Sequence, residues 1–154
     1  MRKIKLSRNS FITVLFILAI AAFTGGCAKV NKDIVEIKEK MFISQVNDVY
    51  LNFEDYLGRT IKLEGIFKSE QFYNDVEPYR FVIRYGPGCC GTDGNAGFEV
   101  KWNKDREQQY PAAESWVEAT GILKIDKDGS AQYLYLDLSS LDVLSKRGAE
   151  VVLQ

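Results

Sequence analysis

Cys89 and Cys90 stand side by side in Gly86–Trp102, a stretch that also holds Asp93, Glu99 and the glycines Gly86, Gly88, Gly91, Gly94 and Gly97. Adjacent thiols support four kinds of chemistry. Buried, they are small apolar side chains closing a turn. As thiolates, completed by Asp93, Glu99 or a partner chain, they suit zinc or copper. Joined as a vicinal disulfide, they form a cramped, strained and reducible ring. Singly, either is a reactive thiol. Glu99 and Asp93 are also candidates for a general acid and base, although nothing in the sequence fixes their separation. The chain has no histidine, which excludes Ser-His-Asp and Cys-His catalysis, histidine-ligated metals and a histidine pH switch. Three cysteines cannot supply a Cys₄ zinc site, and no even set of spaced cysteines is present for a disulfide framework. No nucleophile–base pair, phosphate-cradling loop with lysine or EF-hand spacing occurs.

The elements that must position this stretch are strands. Arg59–Phe67 alternates Ile61, Leu63 and Phe67 with Thr60, Lys62 and Glu64, which predicts a strand with one buried face. Gly65 interrupts that face and predicts a bulge or bend. After a polar loop, Ser69–Pro78, a second strand over Tyr79–Tyr85 places Arg80, Val82 and Arg84 opposite Tyr79, Phe81, Ile83 and Tyr85. The glycine-rich stretch reads as a loop leading to a third strand, Phe98–Trp102. Asn103–Ala113 is polar, with room for one helical turn. Trp116–Ile125 is the fourth strand, with Val117, Ala119, Leu123 and Ile125 on one face and a bend at Gly121. Lys127-Asp128-Gly129 is a hairpin signal, and Tyr133–Leu138 and Leu141–Leu144 complete the sheet. Ahead of these, Met41–Leu57 fits two patterns. Phe42, Val46, Val49, Tyr50 and Phe53 follow a helical stripe, but β-branched and aromatic residues favour a strand over Phe42–Leu51. On the strand reading, Asn52 caps a helical turn, Phe53–Leu57, closed by Gly58.

Short, evenly spaced strands with internal glycines predict a mainly β fold: a small OB-like barrel of five or six strands with little helix. A β-sandwich is the runner-up, with few strands available for one. Tyr73, Tyr79, Tyr85, Tyr133 and Tyr135 either form a stacking face or fill the barrel. Arg80 and Arg84 read as a solvated or ion-paired face, or as an anion contact.

The N-terminus has the form of an export signal. Arg2, Lys3, Lys5 and Arg8 precede an apolar run, Phe11–Phe23, too short for the ~20 residues of a spanning helix. Thr24-Gly25-Gly26-Cys27 resembles the lipobox of bacterial lipoproteins, which implies a lipid on Cys27 and cleavage before it. The alternative is plain secretion. Loss of residues 1–26 removes four basic and no acidic residues from 20 Lys+Arg and 21 Asp+Glu, leaving 128 residues with a net charge of −5. An acidic, exported domain is a poor nucleic-acid binder, and no nucleic-acid partner is expected. The expected organisation is a signal peptide, 1–26; a tether, 27–40; a barrel domain, 41–145; and a C-terminal tail, 146–154.

Three runs resemble one family: Gly58-Arg59-Thr60-Ile61-Lys62-Leu63-Glu64-Gly65-Ile66-Phe67, then Phe81-Val82-Ile83-Arg84 ahead of Cys89-Cys90, then Trp116-Val117-Glu118-Ala119-Thr120-Gly121. They are similar to the OB-fold C-terminal domain of a bacterial membrane-associated family of unknown function, often encoded beside a predicted permease. The resemblance spans roughly Tyr56–Leu144. It implies an OB barrel and a membrane-protein partner such as a permease. The family's N-terminal membrane helices have no counterpart, and the lipid on Cys27 takes their place. The resulting expectation is a non-enzymatic module, lipid-anchored on the extracytoplasmic face of the cell membrane. It would bind a small ligand, a metal ion or a membrane protein through Gly86–Gly97, with Cys89, Cys90, Asp93 and Glu99 as candidate ligands. The alternative is a thiol-based redox protein using Cys89 and Cys90.

Overall fold

Period-two alternation buries one side of each strand, and five such strands bent around a common interior have no free edge left to protect. A computed structural model describes residues 34–72, 77–88, 91–103, 110–128 and 131–153, with backbone alone at 88, 91–93 and 128. These residues lie in one compact unit, Lys32–Gln154. The strands are β1 (Val35–Ile37), β2 (Thr60–Glu70), β3 (Tyr79–Gly88), β4 (Gly91–Lys101), β5 (Trp116–Asp128) and β6 (Ala131–Val143). Strands β2, β3, β4, β6 and β5 are neighbours in that order, and β5 pairs back onto β2. The result is a closed five-stranded barrel with OB-type connectivity, in which β4 and β6 run parallel and the other barrel pairs run antiparallel. The sixth strand, β1, lies parallel to the start of β2, along Ile61–Leu63.

Strand β2 changes partner along its length. Thr60–Ile66 pairs with β5, and Ile66–Glu70 pairs with β3. Ile61 and Leu63 point into the core as alternation requires, and then Gly65, Ile66 and Phe67 are all buried. A Cβ on Gly65 would stand 2.5 Å from the Ile83 carbonyl oxygen. The bend expected there is therefore a close backbone approach that only glycine permits. The segments expected at Tyr133–Leu138 and Leu141–Leu144 fall on one strand, β6, which ends at Val143 and is interrupted where the register with β5 shifts between Thr120 and Gly121. The Ser139 hydroxyl, at that irregularity, donates to the Thr120 carbonyl at 3.0 Å.

Phe42–Leu51 is an α-helix, α1, and not the strand expected from its β-branched content. The period decides the matter. Phe42, Val46 and Val49 are spaced for one helical face, and all three are buried in the barrel core. A strand would have put Ser44 and Asp48 on the same face as Phe42 and Val46. Gln45 ties the helix to the segment before it: its Oε1 accepts from Lys38 N at 2.8 Å and its Nε2 donates to the Glu36 carbonyl. A second short helix, α2 (Phe53–Tyr56), follows. Asn52 does not cap it with its side chain, which donates to Asp48 instead. Gly58, at φ 74°, ends the turn in the left-handed conformation expected of a helix terminator.

Gly86–Gly97 is not an open loop. It forms the facing arms of a β3–β4 hairpin, with Tyr85 opposite Asn95, Gly86 opposite Gly94 and Gly88 opposite Gly91. Cys89 and Cys90 fall between the last two in sequence and lie outside the described residues, as do Cys27, Tyr73 and most of Asn103–Ala113. At the C-terminus, Tyr85 N donates to the Glu150 carbonyl and Val152 N to the Tyr85 carbonyl, both at 2.9 Å. Residues 150–152 thus run as a strap along β3, with Val152 in the core.

Candidate functional site

Strands β4 and β6 are joined only through Glu99–Lys101 and Tyr135–Asp137. Short of Glu99 on one strand and Tyr135 on the other, no pairing joins them among the described residues. The helices α1 and α2 stand beside this parting. The Tyr50 ring stacks on Phe98 with centroids 5.3 Å apart, and its hydroxyl donates to the Gly97 carbonyl at 3.1 Å. A cavity of about 380 Å³ opens there, lined by the rings of Tyr50, Phe53, Phe81 and Tyr133, by Leu134, and by the Glu99 carboxylate. Among the described residues, Glu99 is the one charged side chain in its lining.

Glu99 faces away from the interior filled by its neighbours Phe98 and Val100, yet it is only 8% exposed. Phe81 lies opposite it on β3 and Tyr135 on β6. Lys101, two residues on and so on the same strand face, places Nζ 3.2 Å from Glu99 Oε1 and 3.0 Å from Asp126 Oδ2. The same ammonium lies 4.8 Å from the Tyr135 ring centroid. One ammonium therefore serves two carboxylates. Burial raises the Glu99 pKa above the ordinary carboxylate value, and Lys101 offsets only part of this. The Tyr50 phenol is raised as well, by burial and by the negative charge of Glu99.

These shifts fix a sign. A carboxyl whose pKa is raised in the folded state holds its proton more tightly folded than unfolded. Its contribution favours folding below the unfolded-state pKa and is lost as pH rises through the folded one. Glu99→Gln, which removes the buried charge and leaves Lys101 paired with Asp126, is expected to make the protein more stable than wild type at pH 7.5. The gap should close as pH falls towards about 4, where the wild-type carboxyl is protonated. Urea melts of both proteins at the two pH values check this, and a destabilised Glu99→Gln at pH 7.5 would contradict it.

A second charged cluster has another use. Of the readings open for Arg84, the solvated face fails, because the side chain is 2% exposed, and the ion pair holds, with Glu39 as partner. Its guanidinium lies between the rings of Phe42 and Trp116, 5.1 and 4.8 Å from their centroids. Its Nε donates to the Glu64 carbonyl at 2.9 Å, and Nη1 donates to Glu39 Oε2 at 2.8 Å and to the Ala149 carbonyl at 3.0 Å. Ala149 N also donates to Glu39 Oε2. The hydrogen bond from Arg84, reinforced by that from Ala149, lowers the Glu39 pKa. The cluster is a clasp joining the residues after β1 to the C-terminal strap, and it engages Arg84 through Nε and Nη1. Arg80 is half-buried, 4.0 Å from the Tyr110 ring centroid.

Of the residues singled out in the sequence as candidates for chemistry or stacking, Glu99 and Tyr133 are at the pocket. Cys27, Cys89 and Cys90 lie outside the described residues, and so does the side chain of Asp93. Asp93 and Glu99 are both on β4, six residues apart, a separation of about 20 Å along an extended strand. Among the described residues no three His, Cys, Asp or Glu side chains gather as a metal site. Of the tyrosines considered for a stacking face, Tyr133 and Tyr79 are exposed, Tyr85 and Tyr135 half-buried. Lys101, Asp126, Tyr50, Phe53 and Phe81 were not anticipated at the site. The one local signal was the Glu99–Lys101 spacing, which puts opposite charges on one strand face.

The model of the DUF1980 C-terminal domain matches residues 25–146 of the chain. The chain belongs to the DUF1980 C-terminal domain family. For the DUF1980 C-terminal domain, the closed barrel, the pocket at the β4–β6 parting and the Arg84 clasp all fall within or against the matched span. No curated protein matches the chain.

Proposed function

We propose that this protein is a non-enzymatic binding module, held by a lipid on Cys27 at the extracytoplasmic face of a bacterial membrane, which takes a small ligand into the pocket where β4 and β6 part. The observation that carries the reading is the pocket itself: concave, lined by four aromatic residues, with Glu99 and Gln132 as the polar side chains beside them. Sites for small molecules are typically of this kind, mostly apolar with a few placed polar groups. Among the described residues of the lining, the titratable groups besides Glu99 are the phenols of Tyr50 and Tyr133, and the Tyr50 phenol is raised further from physiological pH. That favours holding a ligand over transforming it. The anchor rests on Thr24-Gly25-Gly26-Cys27, and a membrane-protein partner such as a permease would then lie within reach of the barrel.

Two measurements test this. Cells fed a labelled fatty acid should label the wild-type protein and not Cys27→Ser; an unlabelled wild type found in the medium would remove the anchor. The full-length protein extracted from its membrane should carry a small molecule detectable by mass spectrometry, reduced at least tenfold in the Phe81→Ala, Tyr133→Ala double variant. Identical small-molecule content in the two proteins would remove the pocket.

A further inference from the structure

We infer that the pocket at the β4–β6 parting selects a small organic cation, an ammonium carried on an apolar or aromatic body, with Glu99 as its counter-ion. This rests on the pocket being a binding site and names the chemistry of what it holds.

Charge is the first reason. Glu99, Lys101 and Asp126 form a chain of two carboxylates around one ammonium, with Nζ 3.2 and 3.0 Å from the respective oxygens. With all three ionised the cluster carries one uncompensated negative charge, and Glu99 is the member that lines the cavity. A buried carboxylate with half a partner is costly to keep, and its raised pKa expresses that cost. A cation in the cavity would supply the missing half. An anion would meet the Glu99 charge, and a neutral guest would leave it as it is.

The walls are the second reason. Tyr50, Phe53, Phe81 and Tyr133 surround the same space, and ring faces attract cations while burying the apolar groups attached to them. Tyr50 is already fixed by its stack on Phe98 and its hydrogen bond to Gly97, so it need not be ordered on binding. A metal ion fits less well, because one lining carboxylate among aromatic rings gives no oxygen or sulfur cage, and among the described residues no three potential ligands converge. At about 380 Å³ the cavity is within the usual range for a small-molecule site.

The test uses full-length protein in lipid nanodiscs, titrated calorimetrically with benzyltrimethylammonium and with neutral benzyl alcohol. Benzyltrimethylammonium is expected to bind saturably. Glu99→Gln should weaken it at least tenfold and change benzyl alcohol binding less than twofold, and Tyr133→Ala should weaken both. If Glu99→Gln leaves the ammonium affinity unchanged while Tyr133→Ala still lowers it, the pocket binds ligands but does not select cations, and this inference falls alone. If neither compound binds saturably, the binding reading falls with it. Circular dichroism and melting of each variant establish that the fold is kept.

Discussion

Gly97→Ala should leave little folded protein. Gly97 has φ 157°, a conformation that side-chain-bearing residues rarely adopt, and a Cβ there would lie 2.0 Å from the Val82 carbonyl oxygen and 2.8 Å from the Ile83 Cα. Both obstacles are backbone atoms of β3, the strand to which β4 is hydrogen-bonded. No rotamer change can relieve them, so either the β3–β4 pairing must open or the barrel must deform. Gly97 also accepts the Tyr50 hydroxyl and precedes Phe98, on which Tyr50 stacks. A shift of this backbone therefore disturbs the wall of the pocket. The expected loss exceeds about 4 kcal/mol, in the range reserved for strain and steric conflict at special positions. Chemical denaturation of wild type and variant measures it, and a loss below about 1 kcal/mol would show that the hairpin yields more easily than its geometry implies.

The second large effect belongs to the clasp. Arg84→Ala is expected to cost about 3–5 kcal/mol, the range for breaking a buried charge pair and for emptying a large core side chain. Glu39 is not the main sufferer. Its side chain is 49% exposed, so its carboxylate can return to water. The cost falls on the carbonyls of Glu64 and Ala149, which lose their donor, and on the space left between Phe42 and Trp116. Hydrogen exchange should show the loss locally. The Val152 amide, bonded to the Tyr85 carbonyl, should exchange faster in Arg84→Ala relative to the amides of the β5–β6 hairpin. Uniform acceleration everywhere would mean that the strap is not separately held. Acid adds a check of sign. The Glu39 pKa is lowered in the fold, so its contribution is present above the unfolded carboxylate pKa and lost as pH falls through the folded one. The gap between wild type and Arg84→Ala should narrow in acid.

Much of the barrel was legible because its strands obey one rule. Ile61, Leu63, Phe67, Val117, Ala119 and Leu123, all of one parity, are buried together. The rule failed where the backbone leaves the regular pleat. Beside the Gly65 bend, where β2 changes partner, Ile66 is buried along with Phe67. On β3, Val82, Ile83 and Arg84 are buried in succession. Alternation alone had set Arg84 beside Arg80; what buries it is α1 through Phe42, β5 through Trp116 and the strap through Ala149. The α1 helix was misjudged because Ile43, Val46, Val49 and Tyr50 weigh towards a strand by type while their spacing weighs towards a helix. Burial of one face outweighed propensity, as tertiary packing commonly does. The site was legible in two residues, Glu99 as a candidate ligand and Tyr133 as a candidate for a stacking face. Glu99 was singled out as a candidate ligand beside Cys89 and Cys90, but its neighbours in the pocket come from other elements. Asp126 is on β5, Tyr133 and Tyr135 on β6, and Tyr50 on α1. They meet through the parallel β4–β6 pairing, which has no local signature in the chain.

The clasp has a consequence for the order of events when the protein is made. Glu39 and Ala149 are 110 residues apart, and the closing β2–β5 pairing joins residues 60–66 to residues 116–122. A chain that emerges from its N-terminus presents α1, β2 and β3 long before their last partners exist. Contacts of such long sequence separation form late and slow the passage to the native state. Until Ala149 arrives, the Arg84 guanidinium lacks one of its acceptors, and Glu39 lacks the amide that helps hold it in place. The barrel therefore closes late, because β2 and the Arg84 guanidinium wait for β5 and Ala149 before their contacts are complete.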